Sequence, residues 1–375
     1  MISLIEEEKV SLVFADNPYI KQFPSLSIKD QIHKLTSNIE SLGVYPAKKH
    51  LKNAVNATNY ITRPYSHELS LGCAQLEFRA FNMSILENYR NDPRYYYENN
   101  AIGGRISIVD EHYSSKDMCD QDKVHLQTFG FCYDDNNNRA IAVFLRYLKQ
   151  LSSNHQQTWK TKELDGKWNL HPDYRRFSLG DWNIGISIFD AFIEELKAIN
   201  KMCKAMQKPQ LFKKTFEEEI PKEFSFLIRP TTKEFYQFIH LLDKMISDNI
   251  NTRFFESHID NSEIEDKNKD GTKKGSMALL ESWLEKFYKV VTEEKNPYKK
   301  LLSPFKEIRK QRTIPGHKIE EDEFDPEFIT KQQNILLKAY ESLSILRMIF
   351  NRHPNCINNN FGISARVLEG RIWTQ

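Results

Sequence analysis

Residues 187–206 read SIFDAFIEELKAINKMCKAM, and their spacing decides the second half of the chain. Phe189, Phe192, Ile193, Leu196, Ile199, Cys203 and Met206 recur three and four residues apart, the period that lines one face of a helix. The same period returns in Phe235, Phe238, Ile239, Leu242, Met245 and Ile246, and again in Leu280, Trp283, Leu284, Phe287, Val290 and Val291. The longest stripe follows Asp325-Pro326 and runs through Leu336, Ala339, Tyr340, Leu343, Leu346, Ile349 and Phe350, with a shorter amphipathic piece, Tyr298 to Arg312, ahead of it. Wide apolar faces joined mostly by short connections predict an antiparallel helical bundle.

Before Trp182 the period changes. One or two helices are expected from Ile28 to about Asn56, ended by Thr62-Arg63-Pro64. Short strands are expected at Leu69–Leu71, Leu76–Phe78, Arg105–Val109, Leu126–Tyr133 and Ala140–Phe144, with the Asn-rich stretch after Cys132 as a hairpin turn. The aromatics in this region (Tyr89, Tyr95, Tyr96, Tyr97, Phe129, Phe131) do not alternate with basic residues, so a half-buried sheet is the expectation ahead of a base-stacking platform. The predicted fold class is therefore α+β: a mixed α/β domain over residues 1–180, an all-α antiparallel helical bundle over 186–353, and a tail over 354–375.

The 375 residues are more than one typical core needs, which also predicts about two domains. With 40% hydrophobic and 28% charged residues the chain is neither disordered nor a membrane protein. No stretch approaches a spanning helix and Met1–Val10 is acidic where a signal peptide is basic, so a cytoplasmic location is expected. Five dispersed cysteines without a C-x-x-C pair predict reduced, structural thiols, with neither a zinc site nor a disulfide scaffold. Phosphate-loop, dinucleotide, zincin and serine-hydrolase motifs are absent, and neither a cofactor nor a metal is expected.

Three smaller patterns read first as ordinary structure. Asp266–Gly271 copies half of a calcium loop, but Met277 stands where the bidentate Glu belongs, so Glu256–Gly275 is expected to be a polar linker. Asp190 and Glu194 share a helical face with Glu195 and Lys197 beside them, the pattern of a solvated surface. His240 and Asp243 also share a face, where they can serve as an acid–base pair or as a hydrogen-bonded structural histidine.

The informative segment is Lys295–Lys318, KNPYKKLLSPFKEIRKQRTIPGHK. It carries eight basic residues and one acid, a local charge of +7 in a chain whose net charge is only +2. Six acids between Glu320 and Glu327 follow it, and internal neutralisation is the plain reading of that adjacency. Inside the strip, Arg312-Thr313-Ile314-Pro315-Gly316-His317 spells R-x-x-x-x-H at a junction between helices.

With that motif, the preceding Phe305 to Gln311 and the long last helix ending Arg347–Pro354, the region from about Ser187 to His353 resembles the HEPN superfamily of helical-bundle proteins, many of them RNases. The resemblance implies a metal-independent endoribonuclease in which His317 is acid or base and Arg312 stabilises the phosphorane. Lys299, Lys300, Lys306, Arg309, Lys310 and Lys318 would then hold RNA. The resemblance also implies a homodimer with both copies of the pair in one cleft, and a toxin–antitoxin or phage-defence setting in which the first domain senses or gates, with a regulatory protein as a further partner. Histidine titrates near neutrality and arginine stays charged, so the pair suits phosphodiester cleavage. Two alternatives stand beside it: a Pro-Gly helix stop with a capping histidine, and a non-catalytic module that docks nucleic acid or protein through residues 295–318.

A two-fold cleft would set +7 against +7, so dimerisation should strengthen with salt or with a short RNA as the like charges are screened. Light scattering at low and high salt, with and without RNA, checks this; a strict monomer in all four removes the shared cleft.

Overall fold

Burial alternates along Tyr95–Asn99 and, past an irregularity between Gly104 and Ile106, along Ile106–Ile108, as half-buried strands require, while Arg139–Phe144 is buried at nearly every position. Apart from Asn99, these strands belong to the first of two units into which the chain divides: Met1–Glu98 with Gly103–Ser178, and Asn99–Ile102 with Leu179–Gln375. The computed structural model describes residues 1–14, 19–20, 26–37, 42–99, 102–116, 119, 122–136, 138–181, 185–289, 294–313, 321–357 and 359–374.

The first unit is built on a seven-stranded sheet. Its order is Tyr95–Asn99, Gly103–Ile108, His125–Tyr133, Arg139–Phe144, Phe78–Phe81 and Glu163–Leu164, with Asn169–Leu170 paired to His125–Tyr133. Tyr133 pairs with Arg139 across the Asn-rich turn, where Asp134 accepts hydrogen bonds from the backbone N–H groups of Asn136 (2.9 Å) and Asn138 (2.8 Å). The core is aromatic: Phe81 meets Trp159 edge-on with centroids 4.9 Å apart, and the Trp159 indole donates to the buried Tyr89 hydroxyl at 2.9 Å. Gly130 lets the Tyr174 ring lie against the strand, since a Cβ there would stand 2.1 Å from it.

Three expectations for this unit are corrected. Leu69–Leu71 is not a strand, because Pro64 opens a helix, Pro64–Ser70, that ends there. Leu76–Phe78 is displaced, the strand being Phe78–Phe81. Within 28–56, Leu42–Pro46 forms an antiparallel pair with Val10–Phe14, between the helices Ile28–Ser37 and Lys48–Ala54.

The second unit is a run of long antiparallel helices, so the molecule has a mixed α/β region followed by an all-α one. Ile188–Ala205 packs against Glu327–Phe350, and Thr232–Ile246 against Ser303–Arg312. The first, second and last apolar stripes are buried throughout. In the third, Leu280, Trp283 and Leu284 are buried but Phe287 is 40% exposed, because the helix Ser276–Phe287 ends with it; Val290 and Val291 lie outside the described residues. Residues 256–275 are not wholly a linker. Phe254, Phe255 and His258 are buried by a helix, Arg253–Asp260, that begins before that segment. The calcium-like stretch is a turn closed on itself: Lys274 N–H donates to the Asp266 carbonyl at 2.7 Å, and Thr272 donates through N–H and hydroxyl to Asp270. Ile372–Trp373 pairs in parallel with Ile186–Ser187, tying the end of the chain to the start of this unit. All five cysteines are free thiols, and among the described residues no helix is long and apolar enough to cross a membrane.

The solvated face expected around Asp190 and Glu194 is also corrected. Asp190 belongs to the N-cap, accepting from the Ser187 hydroxyl at 2.8 Å, and Glu194 accepts from the Ser364 N–H at 3.0 Å. Glu195, with no exposed surface, takes a hydrogen bond from Arg347 Nε at 2.6 Å. Burial raises the Glu195 carboxyl above its ordinary range, while Arg347 pulls it back.

Removing one member of such a pair strands a buried charge, so Arg347→Ala should lose about 3–5 kcal/mol, whereas the double change Glu195→Met, Arg347→Met should lose far less. Urea denaturation of both variants checks this; a cost below about 1 kcal/mol for the single change, the worth of an exposed pair, overturns it.

Candidate functional site

The helix Ser303–Arg312 carries Phe305 and Ile308 on its buried side. One step further along the same three-and-four spacing come Arg309 and Arg312, in the last turn, where cations complement the helix dipole. The face they meet belongs to Thr232–Ile246, whose N-terminus is capped by Thr231, the hydroxyl accepting from Glu234 N–H at 3.3 Å. Asp243 sits in the last turn of that helix and Asp248 just beyond it; the Ser247 and Asp248 N–H groups both donate to the Asp243 carbonyl.

Arg312 Nη1 donates to Asp243 Oδ2 at 2.7 Å and to Asp248 Oδ2 at 2.6 Å, and Arg309 Nη2 reaches Asp248 Oδ1 at 3.4 Å. Asp243 has no exposed surface, whereas the Arg312 side chain is 30% exposed, so the guanidinium bridges interior and solvent. The hydrogen bonds that Arg312 donates to Asp243 and then Asp248 push its guanidinium still higher than its ordinary value. Asp243 Oδ1 and the buried Ser247 hydroxyl have no hydrogen-bond partner among the described residues.

His240, one turn before Asp243, is half-buried. Burial first, then the Lys244 and Arg312 cations, hold its imidazole below the usual histidine range, against an opposing pull from Asp243 and Asp248. A neutral imidazole beside a fixed guanidinium can accept a proton while the cation meets developing negative charge. The structure thus gathers His240, Asp243 and Arg312, which the sequence singles out in two separate places. His317 and Lys318 lie outside the described residues.

The rest of the basic strip is partly neutralised, and among the described residues the carboxylates it meets are not the acids that follow it. Lys306 pairs with Glu281, and Lys300 with Glu294 at 2.9 Å. The following acids act elsewhere: Asp322 accepts from the Lys233 N–H at 2.8 Å and Asp325 pairs with Lys331 at 3.2 Å. Lys299 and Lys310 are exposed, with no ion pair among the described residues. Sequence reasoning missed Asp248, which belongs to no pattern until the turn after Ile246 aims it at Arg312. No group of three or more His, Cys, Asp or Glu side chains suited to a metal occurs among the described residues.

By NMR, the His240 imidazole should titrate below the ordinary histidine midpoint of about 6.5, and Lys244→Met should move that midpoint upward by removing a cation. Because the folded value is the lower one, His240 contributes stability above the unfolded midpoint that is lost as pH falls through the folded one. A midpoint at or above 6.5 removes the neutral-base role. Comparisons of the chain with protein-family models, with curated proteins and with solved structures find no match.

Proposed function

We propose that the second unit is a metal-independent endoribonuclease of the HEPN kind, working at the end of the Ser303–Arg312 helix. The observation that carries this reading is the placement of Arg312, fixed by Asp243 and Asp248, on the face that bears His240. In this reading a neutral imidazole takes the proton of an RNA 2′-hydroxyl and the 2′-oxygen attacks phosphorus. Arg312 meets the charge on the equatorial oxygens, and a second imidazole protonates the departing 5′-oxygen. The products are a 2′,3′-cyclic phosphate and a 5′-hydroxyl. The resemblance to HEPN proteins assigns the second proton transfer to His317 and argues for a homodimer in which both copies of the pair line one cleft. The same resemblance is the ground for proposing a toxin or phage-defence setting.

A second reading has its own support. Lys300, Lys306, Arg309 and Arg312 all have carboxylate partners, as expected of a strip that joins helices and offers only its remaining lysines to a nucleic acid or protein. The two readings separate on RNA incubated in EDTA with wild type, His317→Ala, His240→Ala and Arg312→Lys, each first checked for folding. Wild type should leave 2′,3′-cyclic phosphate ends, and each histidine variant should be slower by about a hundredfold or more. Equal cleavage by all four proteins, or retention of RNA without cleavage, removes the enzyme and leaves the docking module.

A further inference from the structure

Away from this site, in the same unit, three ionisable side chains form a chain of hydrogen bonds. Lys208 Nζ stands 2.5 Å from His258 Nε2, and His258 Nδ1 pairs with Glu263. An ammonium can only donate, so Nε2 accepts from Lys208, which leaves the ring proton on Nδ1 to be donated to the Glu263 carboxylate. The arrangement has the order of a catalytic triad, with an amine in the place of the nucleophile.

Two helix ends place it. After Ile188–Ala205 the chain turns through Gln207 at φ +58°, so that Lys208 N–H donates back to the Cys203 carbonyl at 2.9 Å. After Arg253–Asp260 it turns through Ser262 at φ +56°, and Glu263 N–H donates to the His258 carbonyl at 2.8 Å. Both are left-handed helix stops of the kind that return the next residue against its own helix. His258, only 9% exposed, lies between them.

The surroundings are apolar. The Lys208 ammonium lies 5.8 Å from the Phe254 ring centroid and 5.9 Å from that of Trp283. The Trp283 indole nitrogen is buried without a hydrogen-bond partner among the described residues. Phe287, 40% exposed, brings its ring to 4.5 Å from the His258 ring, an open aromatic rim beside the relay.

We propose that Lys208 is a nucleophilic amine that forms an imine with an aldehyde carrying an apolar or aromatic body, its proton passing to His258 and the resulting charge met by Glu263. Lys208 gives one proton to His258 Nε2. The free amine's lone pair forms a bond to the carbonyl carbon, the C=O π pair moves to oxygen, and that oxygen takes a proton from the attacking nitrogen, giving a carbinolamine. His258 then returns its proton to the hydroxyl, which leaves as water while the nitrogen lone pair closes the C=N bond. The protonated imine carries the single positive charge the ammonium had. Burial lowers Lys208 from its ordinary value, with Glu263 opposing; burial pushes the nearby Cys203 thiol up to about 12, so it stays neutral beside the amine.

The test uses the full chain, benzaldehyde and cyanoborohydride at pH 7, with each lysine's modification followed by peptide mass spectrometry. Lys208 should react about tenfold or more faster than the exposed Lys299 and Lys310, since a positioned base that takes up its proton contributes at least that much. In folded His258→Gln the Lys208 rate should drop to that of Lys299, which itself should not change. The wild-type ratio needs no variant, so it stands even if His258→Gln does not fold. A Lys208 rate at or below that of Lys299 in wild type, or an unchanged Lys208 rate in folded His258→Gln, overturns the proposal.

Discussion

A carboxylate with no exposed surface needs a cation, and the burial of Asp243 is the requirement around which the second unit's polar chemistry is arranged. Phe238, Leu242 and Met245 take Asp243 into the interior with the rest of their stripe. Only a long side chain arriving from another helix can then reach it. Arg312 does so from the last turn of Ser303–Arg312, at the helical spacing that follows Phe305 and Ile308, so one register satisfies both the apolar contact and the ion pair. A planar guanidinium suits the task better than an ammonium, because it is more weakly hydrated and its donors are fixed in direction when two carboxylates must be met. Unpairing a buried charge costs about 3–5 kcal/mol against a typical domain stability of about 5–15 kcal/mol. The interaction is therefore large enough to fix how these two helices lie together.

That arrangement changes the meaning of the basic strip. Along the chain it is a block of +7; in three dimensions Asp243, Asp248, Glu281 and Glu294 each stand against one or more of its cations. Under the proposed endoribonuclease reading, a long-range field that would draw RNA from solution is correspondingly weaker, and recognition would fall to local geometry: a held guanidinium, a half-buried imidazole and two exposed lysines. Holding Arg312 between carboxylates lowers its attraction for phosphate and raises its precision. For the transition-state role proposed for Arg312, precision would be the greater gain, since donors already in position need no reorganisation as charge develops.

The sequence revealed most where one period ran long. Stripes such as Phe235–Ile246 and Leu336–Phe350 are visible because burial on one side of a helix repeats every turn. The short pieces escaped it. Leu69–Leu71 alternates like a strand yet ends a helix opened by Pro64, and Leu42–Pro46 pairs with Val10–Phe14, a contact that no local pattern encodes. Arg253–Asp260 is two turns long, too short for its Phe254, Phe255 and His258 to read as a stripe. Glu195 looked solvated among charged neighbours because its partner, Arg347, lies 152 residues away. At the site, Arg312 and the His240–Asp243 face were each legible as residue types at a spacing. Their meeting, and the part played by Asp248, depend on tertiary packing.

Apart from the Glu195–Arg347 and Lys306–Glu281 pairs, the charged clusters described in this unit gather at helix C-termini, and the reason is geometric. A helix end leaves carbonyls without intrahelical partners, and the turn that satisfies them folds the following residues back over the last turn. Asp248, Lys208 and Glu263 are all such residues, with N–H groups bonded to carbonyls at 243, 203 and 258 respectively. Each side chain thereby starts from a backbone position tied to its own helix, while its tip remains near solvent. Arg312 fits the same logic from the other partner, since it is itself the last residue of its helix. A cation delivered to a carbonyl-rich end is favoured by the dipole, and a carboxylate there is not unless it finds that cation. Asp248 therefore obliges Arg312 and Arg309 to stay where they are, and Glu263 holds the Nδ1 side of His258, which turns each helix stop into a set of placed proton donors and acceptors.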